Sequence, residues 1–145
     1  MSASLYERDF YAWANEQAAL LRAGNLSAAD IEHIAEEIES MGKSEKRELV
    51  SRLTVLLLHL LKWRFQPGRR GASWDASIRN SRDDLADHLA DNPSLKPSLG
   101  DAIVSAYRRA RRDATAETGL GAAAFPADCP YSVAQIMDEG FWPGD

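Results

Sequence analysis

The sequence predicts an all-α protein, a single-domain helical bundle of about five helices with an irregular C-terminal tail packed across it. Successive segments carry apolar residues every three or four positions and end at Gly or Pro turns, as amphipathic helices do. No run of four or more residues alternates apolar and polar side chains between hairpin turns, so strands are not expected. The length of 145 residues suits one domain, since single domains commonly have about 100–200 residues.

The first two predicted helices begin at capping residues and end at glycines. Ser4 and Glu7 have the spacing of a capping box, and Gly24 follows the end of the apolar pattern. Ser27 opens the second helix and Gly42 ends it. The apolar stripe of this second helix consists of Ile31, Ile34, Ala35, Ile38 and Met41.

Three longer helices and one short helix complete the predicted bundle. The third helix is apolar almost all round in its second half, which is typical of a central helix, and Pro67 breaks it. Ser73 is the predicted N-cap of the fourth helix, Pro97 occupies the first turn of the fifth, and Gly119 stops it. The predicted domain covers 1–145, with helices at 4–23, 28–41, 44–65, 74–91 and 97–118 and a short helix near 133–138. The side chains predicted to be largely buried are Ile34, Ile38, Leu53, Leu56, Leu57, Leu60, Trp63, Leu85, Leu89 and Ile103.

Composition excludes several classes of protein. A formal charge of −5 gives no general attraction to nucleic acid or anionic lipid, and no apolar run approaches the roughly 20 residues of a membrane-spanning helix. Cys129 is the only cysteine, so disulfide frameworks and paired-cysteine sites cannot form, and we expect a packed or idle thiol in a reducing, cytoplasmic setting. The motifs of nucleotide, zinc-protease and hydrolase sites do not occur, and we expect no cofactor.

We assign no catalytic residue from the sequence, and the candidates for catalysis are Arg52 and His59. They lie seven residues apart on the third predicted helix, which places them about 20° out of line and about 10.5 Å apart along the axis. An arginine that stabilises phosphoryl charge beside a histidine that exchanges a proton is the logic of metal-independent RNA cleavage. The simpler interpretation makes His59 a hydrogen-bonded core residue and Arg52 the ion-pair partner of Glu48.

An acidic segment on the second predicted helix supplies the candidate metal ligands, Glu32, His33 and Glu36. Bundle di-metal sites take Glu and Glu-x-x-His ligands that project inward from several helices. Here Asp30 and His33 have an Asp-x-x-His spacing, but the inward face of the helix is apolar and the other helices offer no Glu-x-x-His pair. The sequence therefore favours a solvated acidic face over a metal site, with a partner-binding surface as a further alternative.

Basic and aromatic residues alternate from residue 62 to residue 79. Basic side chains can neutralise phosphates while aromatic rings stack on unpaired bases, so this stretch is the candidate nucleic-acid surface. We expect binding there to be weak, because an acidic stretch of opposite charge at 30–48 can pair with it within the fold or between subunits. The candidate residues are Lys62, Arg64, Arg69, Arg70, Trp74 and Arg79.

Four strings in a regular order give the chain a family resemblance. They are DFYAW at 9–13, EEIESMG at 36–42, LLHLLKW at 57–63 and CPY at 129–131. Together they resemble the bacterial family called domain of unknown function number 29, over nearly the whole chain. The resemblance implies a small helical domain and transfers no catalytic residue.

These observations favour a non-enzymatic role over an enzymatic one. Surfaces of opposite charge suit a cytoplasmic protein that binds a protein partner or assembles with itself. The alternative is a metal-independent ribonuclease or nucleic-acid-binding effector that uses Arg52, His59 and the loop 62–79. No membrane association is expected.

Overall fold

The computed structural model describes residues 4–144, and these residues form six α-helices and no strand. With the 3-10 turns included, 77% of these residues are helical, so the all-α prediction is confirmed. Residues 1–3 and 145 of the predicted domain lie outside the described residues. The helices are α1 (Leu5–Arg8), α2 (Phe10–Arg22), α3 (Ile31–Phe65), α4 (Ala72–Asp91), α5 (Leu99–Thr118) and α6 (Val133–Met137), with 3-10 turns at Pro67–Arg69, Pro93–Ser98 and Ala122–Ala124.

The chain divides into two compact units, unit 1 (Met1–Ser44) and unit 2 (Glu45–Asp145). Compact units do not have to fold independently, so the single domain predicted over 1–145 stays a prediction. In the part of the chain that the structure describes, no helix is long and apolar enough to cross a membrane.

Unit 1 begins with two helices where the sequence predicted one. Asp9 has φ −150° and ψ 85°, which lies outside the helical region, and its carboxylate accepts a hydrogen bond from the Ala12 amide at 3.0 Å. Asp9 therefore caps α2, whereas the predicted cap Ser4 makes no side-chain hydrogen bond to α1. Beyond α2, Gly24 adopts φ 72°, the left-handed conformation in which glycine commonly stops a helix.

The predicted division of 28–41 and 44–65 into two helices is wrong. α3 runs without interruption through Gly42, whose φ is not positive. A glycine inside a helix costs only about 1 kcal/mol relative to alanine, and the neighbouring Glu and Lys residues favour the helix. Glycine commonly ends a helix by adopting the left-handed turn, and Gly42 does not adopt it.

The hydrophobic core of unit 2 is built on the second half of α3. Seven predicted core residues are buried as expected: Leu53, Leu56, Leu57, Leu60, Leu85, Leu89 and Ile103. Trp63 packs against this core but remains partly exposed, and Ile34 of unit 1 is also only partly buried. The prediction for Ile38 is wrong, because its side chain is 59% exposed.

Several helix ends in unit 2 differ from the predicted ones by a few residues. Gly71, not Ser73, precedes α4, and Pro97 belongs to a 3-10 turn that leads into α5. Gly119 stops α5 with φ 74°, as predicted. The short helix α6 has a complete capping box between Ser132 and Gln135.

The C-terminal segment packs into unit 2 through apolar and charged contacts. Phe125, Tyr131 and Ile136 are buried in its core. Arg82 of α4, only 3% exposed, donates from Nε to the Ile136 carbonyl at 2.9 Å and stands 5.8 Å from the Trp142 ring. These contacts fix the irregular tail in place.

Candidate functional site

Asp30 is the centre of a polar cluster in unit 1. Its Oδ2 accepts from Trp13 Nε1 at 3.1 Å and contacts His33 Nδ1 at 2.7 Å. Its backbone amide donates to Gln17 Oε1 at 2.6 Å. Since Trp13 and Gln17 are the buried residues of α2, this cluster joins α2 to the start of α3.

Tyr6 of α1 completes the cluster on its aromatic side. Its ring stacks on the His33 imidazole with centroids 4.0 Å apart and planes 14° apart, and it meets Trp13 edge-on at 4.7 Å. The Tyr6 hydroxyl donates a hydrogen bond to Glu37 Oε1. Polar and aromatic side-chain contacts therefore connect α1, α2 and the start of α3.

The cluster changes the acidity of its members. The hydrogen bond to His33 lowers the pKa of Asp30, and the same contact raises the pKa of His33 above its ordinary value. The hydrogen bond to Glu37, with a contribution from burial, raises the pKa of Tyr6 to about 12. Each contact favours the form in which His33 is charged and Tyr6 is neutral.

The contacts of this cluster are structural, because they cap α3 and connect it to α2. Asp30 Oδ1 also accepts from the His33 amide at 3.4 Å, so Asp30 caps α3 as well as holding the imidazole. Among residues 4–144, no group of three His, Cys, Asp or Glu side chains is placed to hold a metal ion. Of the metal-ligand candidates, His33 is committed to Asp30, while Glu32 and Glu36 are exposed.

The first part of α3 presents exposed apolar side chains. We call Ile31, Ile38 and Met41 the α3 stripe; they are 53%, 59% and 60% exposed. Ile31 and Ile38 are seven residues apart and so stand about 20° out of line, with Met41 on the turn after Ile38. Unit 1 exposes further large apolar side chains at Phe10, Tyr11, Leu21 and Leu26.

Acidic residues border the α3 stripe. Glu32, Glu36 and Glu39 are exposed, and helical spacing places them together on one side of the stripe. Residues 1–44 contain eight Asp and Glu against three Lys and Arg, a net charge of −5, whereas residues 45–145 contain fourteen of each. The whole formal charge of the protein therefore belongs to unit 1.

Arg52 and His59, the candidate catalytic pair, have separate partners. Arg52 Nε lies 2.9 Å from Glu48 Oε1, and its Nη1 lies 3.9 Å from Asp84 Oδ2. His59 Nδ1 lies 2.9 Å from the Val55 carbonyl, one helical turn earlier, and so donates to it. Both side chains are half-buried, and their catalytic role stays a prediction.

Most residues of the candidate nucleic-acid stretch have partners within unit 2. Lys62 lies 3.7 Å from Glu117 and 5.3 Å from the Trp74 ring centroid, and Arg79 donates to Asp75 at 2.6 Å. Arg70 donates to the Trp63 carbonyl at 2.6 Å. The remaining two candidates differ: Arg64 lies over the Phe65 ring at 5.0 Å, while Arg69 is exposed.

Sequence reasoning missed two features of unit 1. The Asp30-x-x-His33 spacing was visible, but nothing in the sequence showed that Tyr6, Trp13 and Gln17 would meet this pair. The sequence predicts that the α3 stripe faces inward, but the structure leaves it exposed, because apolar periodicity identifies a helix face and does not show what covers it.

Comparison with known proteins identifies a family. No curated protein and no solved structure shows significant similarity to the chain. A family model described as Domain of unknown function DUF29 matches residues 5–142, nearly the whole length. The chain therefore belongs to the DUF29 family.

Proposed function

We propose that this protein is a protein-interaction module in which the α3 stripe of unit 1 holds a basic amphipathic helix of a partner protein. The observation that carries the proposal is the exposure of Ile31, Ile38 and Met41 on one helix beside three carboxylates. Large contiguous apolar patches are rare on monomeric proteins, and patches bordered by polar residues commonly serve as interaction sites.

Charge decides between a foreign partner and a second copy. Two copies that pair through the same surface bring together two units of charge −5, and like charges in an interface are unfavourable. A partner helix with Lys or Arg beside its apolar face instead places opposite charges next to Glu32, Glu36 and Glu39. Recognition of an amphipathic helix through apolar anchors at helical spacing is a common mode of peptide binding.

The cluster around Asp30 supports this role by holding the start of α3 in position. Hydrogen bonds and ring contacts from Tyr6, Trp13 and Gln17 fix this turn of α3, so the stripe is presented on a formed helix. A preformed surface loses less conformational entropy on binding. We place the interaction in the cytoplasm, where the free thiol of Cys129 is stable.

The test uses two synthetic 18-residue helices with the same leucine positions, one with lysine and one with glutamate on the polar face. Isothermal titration calorimetry should detect binding of the lysine peptide and none of the glutamate peptide. Ile38→Asn should weaken this binding at least tenfold, which corresponds to about 1.4 kcal/mol. Val55→Asn is the matched control, because Val55 is a 47% exposed residue of the same helix in unit 2, and it should leave the affinity unchanged.

Three outcomes contradict the proposal. The lysine peptide fails to bind, the two peptides bind equally, or Val55→Asn weakens binding as much as Ile38→Asn does. A fourth result assigns the stripe to a second copy instead: sedimentation shows a dimer of the unmodified protein that Ile38→Asn dissociates.

A further inference from the structure

Unit 2 contains a groove along α5 whose lining is rich in arginine. Its volume is about 1000 Å³, and Arg108, Arg109, Arg111 and Arg112 all line it. Among the residues that the structure describes, Asp128 is the only carboxylate in the lining. The size lies at the upper end of the range of about 300–1,000 Å³ that is usual for small-molecule sites.

Helical spacing brings the arginines to one side of α5. Arg108, Arg111 and Arg112 stand three and four residues apart, so their guanidinium groups project from neighbouring turns. Ser105 and Thr115 lie on the same side of the helix and also line the groove. The lining therefore combines positive charges with two hydroxyl groups, of which that of Thr115 donates to the Arg111 carbonyl at 3.0 Å.

The four arginines differ in their hydrogen-bond and ion-pair partners within the protein. Arg111 is fixed by the backbone, because its Nη2 donates to the Ala122 carbonyl at 2.8 Å and its Nε lies 3.4 Å from the Phe125 carbonyl. Arg108 and Arg109 are exposed, and in the described range 4–144 neither forms an ion pair. Arg112 is exposed and has only a distant contact with Asp113, at 3.9 Å.

Apolar and aromatic side chains form the rest of the groove. Ile103, Val104 and Tyr107 belong to α5, and Tyr131 of the C-terminal segment also lines the groove. The Tyr107 hydroxyl is occupied, since it donates to the Pro126 carbonyl at 2.6 Å. Burial raises the pKa of the neighbouring Cys129 thiol, so the thiol is neutral and adds no negative charge to the groove.

We propose that this groove binds a phosphorylated small molecule of nucleotide size. Guanidinium groups make charge-assisted hydrogen bonds to phosphate oxygens, and several arginines on one face match a ligand with more than one phosphate charge. The apolar wall at Ile103 and Val104 suits an attached uncharged group, which inorganic phosphate lacks. The site lies in unit 2 and does not depend on the function proposed for unit 1.

The test measures binding of ADP, adenosine and inorganic phosphate by calorimetry at low salt. ADP should bind, adenosine should not, and inorganic phosphate should bind at least tenfold more weakly than ADP. Arg108→Gln/Arg112→Gln should weaken ADP binding at least tenfold. Arg69→Gln/Lys96→Gln removes the same charge from exposed positions outside the groove and should change the affinity for ADP less than twofold.

The results distinguish this proposal from its alternatives. Equal losses in the two double variants, or equal affinities for ADP and inorganic phosphate, contradict it. Tighter binding of an oligouridylate that ADP does not displace assigns the arginines to a nucleic acid and also overturns it. Ile38→Asn should leave ADP binding unchanged, so failure of the interaction proposed for unit 1 is detected separately.

Discussion

At the scale of single residues, Asp30 has several tasks in unit 1. Its carboxylate accepts from the Trp13 indole and contacts the His33 imidazole, and its Oδ1 also accepts from the His33 amide. Its own amide is satisfied by Gln17. One short side chain thereby caps α3 and attaches it to α2, which explains how a unit with few buried side chains has a defined packing.

The Asp30–His33 pair predicts a specific pH dependence. The raised pKa of His33 means that its contribution to stability is complete below about 6.5, the ordinary histidine pKa, and is lost as the pH rises through the higher folded-state pKa. The lowered pKa of Asp30 acts in the other direction, since its contribution is lost as the pH falls through its folded-state pKa. The pair is therefore most stabilising in mildly acidic solution.

An NMR titration of the His33 ring protons checks this prediction. The measured pKa should exceed 6.5 in the unmodified protein and fall towards 6.5 in Asp30→Asn, because the amide keeps the shape of the side chain without its charge. Glu36→Gln is the control, and it should lower the pKa less. A His33 pKa at or below 6.5 in the unmodified protein contradicts the pairing.

Arg82 is a buried arginine of α4 and Arg79 is an exposed one, so substitutions at the two positions compare buried and exposed arginines on one helix. Arg82→Met should lower the free energy of unfolding by about 1–3 kcal/mol, because it removes the hydrogen bonds to the carbonyls of Ile136 and Gln135. Arg79→Met should cost about 1 kcal/mol or less, since its pair with Asp75 is exposed. Both arginines face Trp142, so loss of that ring contact is common to the two variants.

Urea unfolding and amide hydrogen exchange measure the Arg82 effect. Exchange in α6 should become faster in Arg82→Met than in Arg79→Met. Equal stabilities for the two variants would show that Arg82 does not hold the C-terminal segment.

At the scale of elements, α3 combines two kinds of surface in one helix. Six leucines between Leu49 and Leu61 are buried in the core of unit 2, whereas the α3 stripe in unit 1 is exposed. Both stretches show the same helical periodicity in the sequence. Burial therefore depends on which other helices are available to cover a face, and the sequence of α3 does not contain that information.

Local signals explain which parts of the fold were predictable. The all-α class and the stop at Gly119 follow from residues close together in the chain, and both were predicted. The capping box at Ser132 is likewise a local feature. The break at Asp9 and the continuity through Gly42 depend on backbone angles that several residue types can adopt. The contacts of Tyr6 with His33 and Glu37 join residues about thirty positions apart, and periodicity gives no evidence for such pairs.

Two truncations in α3 test this difference between its surfaces. Leu60→Ala should lower the free energy of unfolding by about 2–5 kcal/mol, because Leu60 is fully buried and the change leaves a cavity. Ile38→Ala should change it by about 0.5 kcal/mol or less, as is usual for an exposed side chain. Urea unfolding of the two variants under the same conditions makes the comparison. A large loss in Ile38→Ala would show that Ile38 is covered in solution.

At the scale of the whole molecule, stability and charge are distributed unequally. Within residues 4–144, the ten largest fully buried side chains all belong to unit 2, while the buried residues of unit 1 are Trp13 and Gln17. Unit 1 also has the net charge of −5, and repulsion among like charges opposes compactness. A unit with little buried apolar surface and high charge suits the role proposed for it, because a partner that covers its apolar residues stabilises it by mass action.

This distribution predicts that unit 1 opens at a lower free energy than unit 2. Native-state hydrogen exchange resolves such local openings, which range from nearly zero up to the global free energy of unfolding. Amides of α2 and of residues 35–44 in α3 should exchange with an opening free energy at least about 2 kcal/mol below that of residues 53–61, roughly a 30-fold difference in protection. The comparison within α3 is internally controlled, because both stretches belong to one helix in one molecule.

Added salt should narrow the difference in opening free energy by screening the acidic residues, and the lysine peptide should narrow it further by covering the α3 stripe. Equal protection along the whole of α3 would show that the two units unfold together, and the low buried area of unit 1 would then have no effect on its local stability.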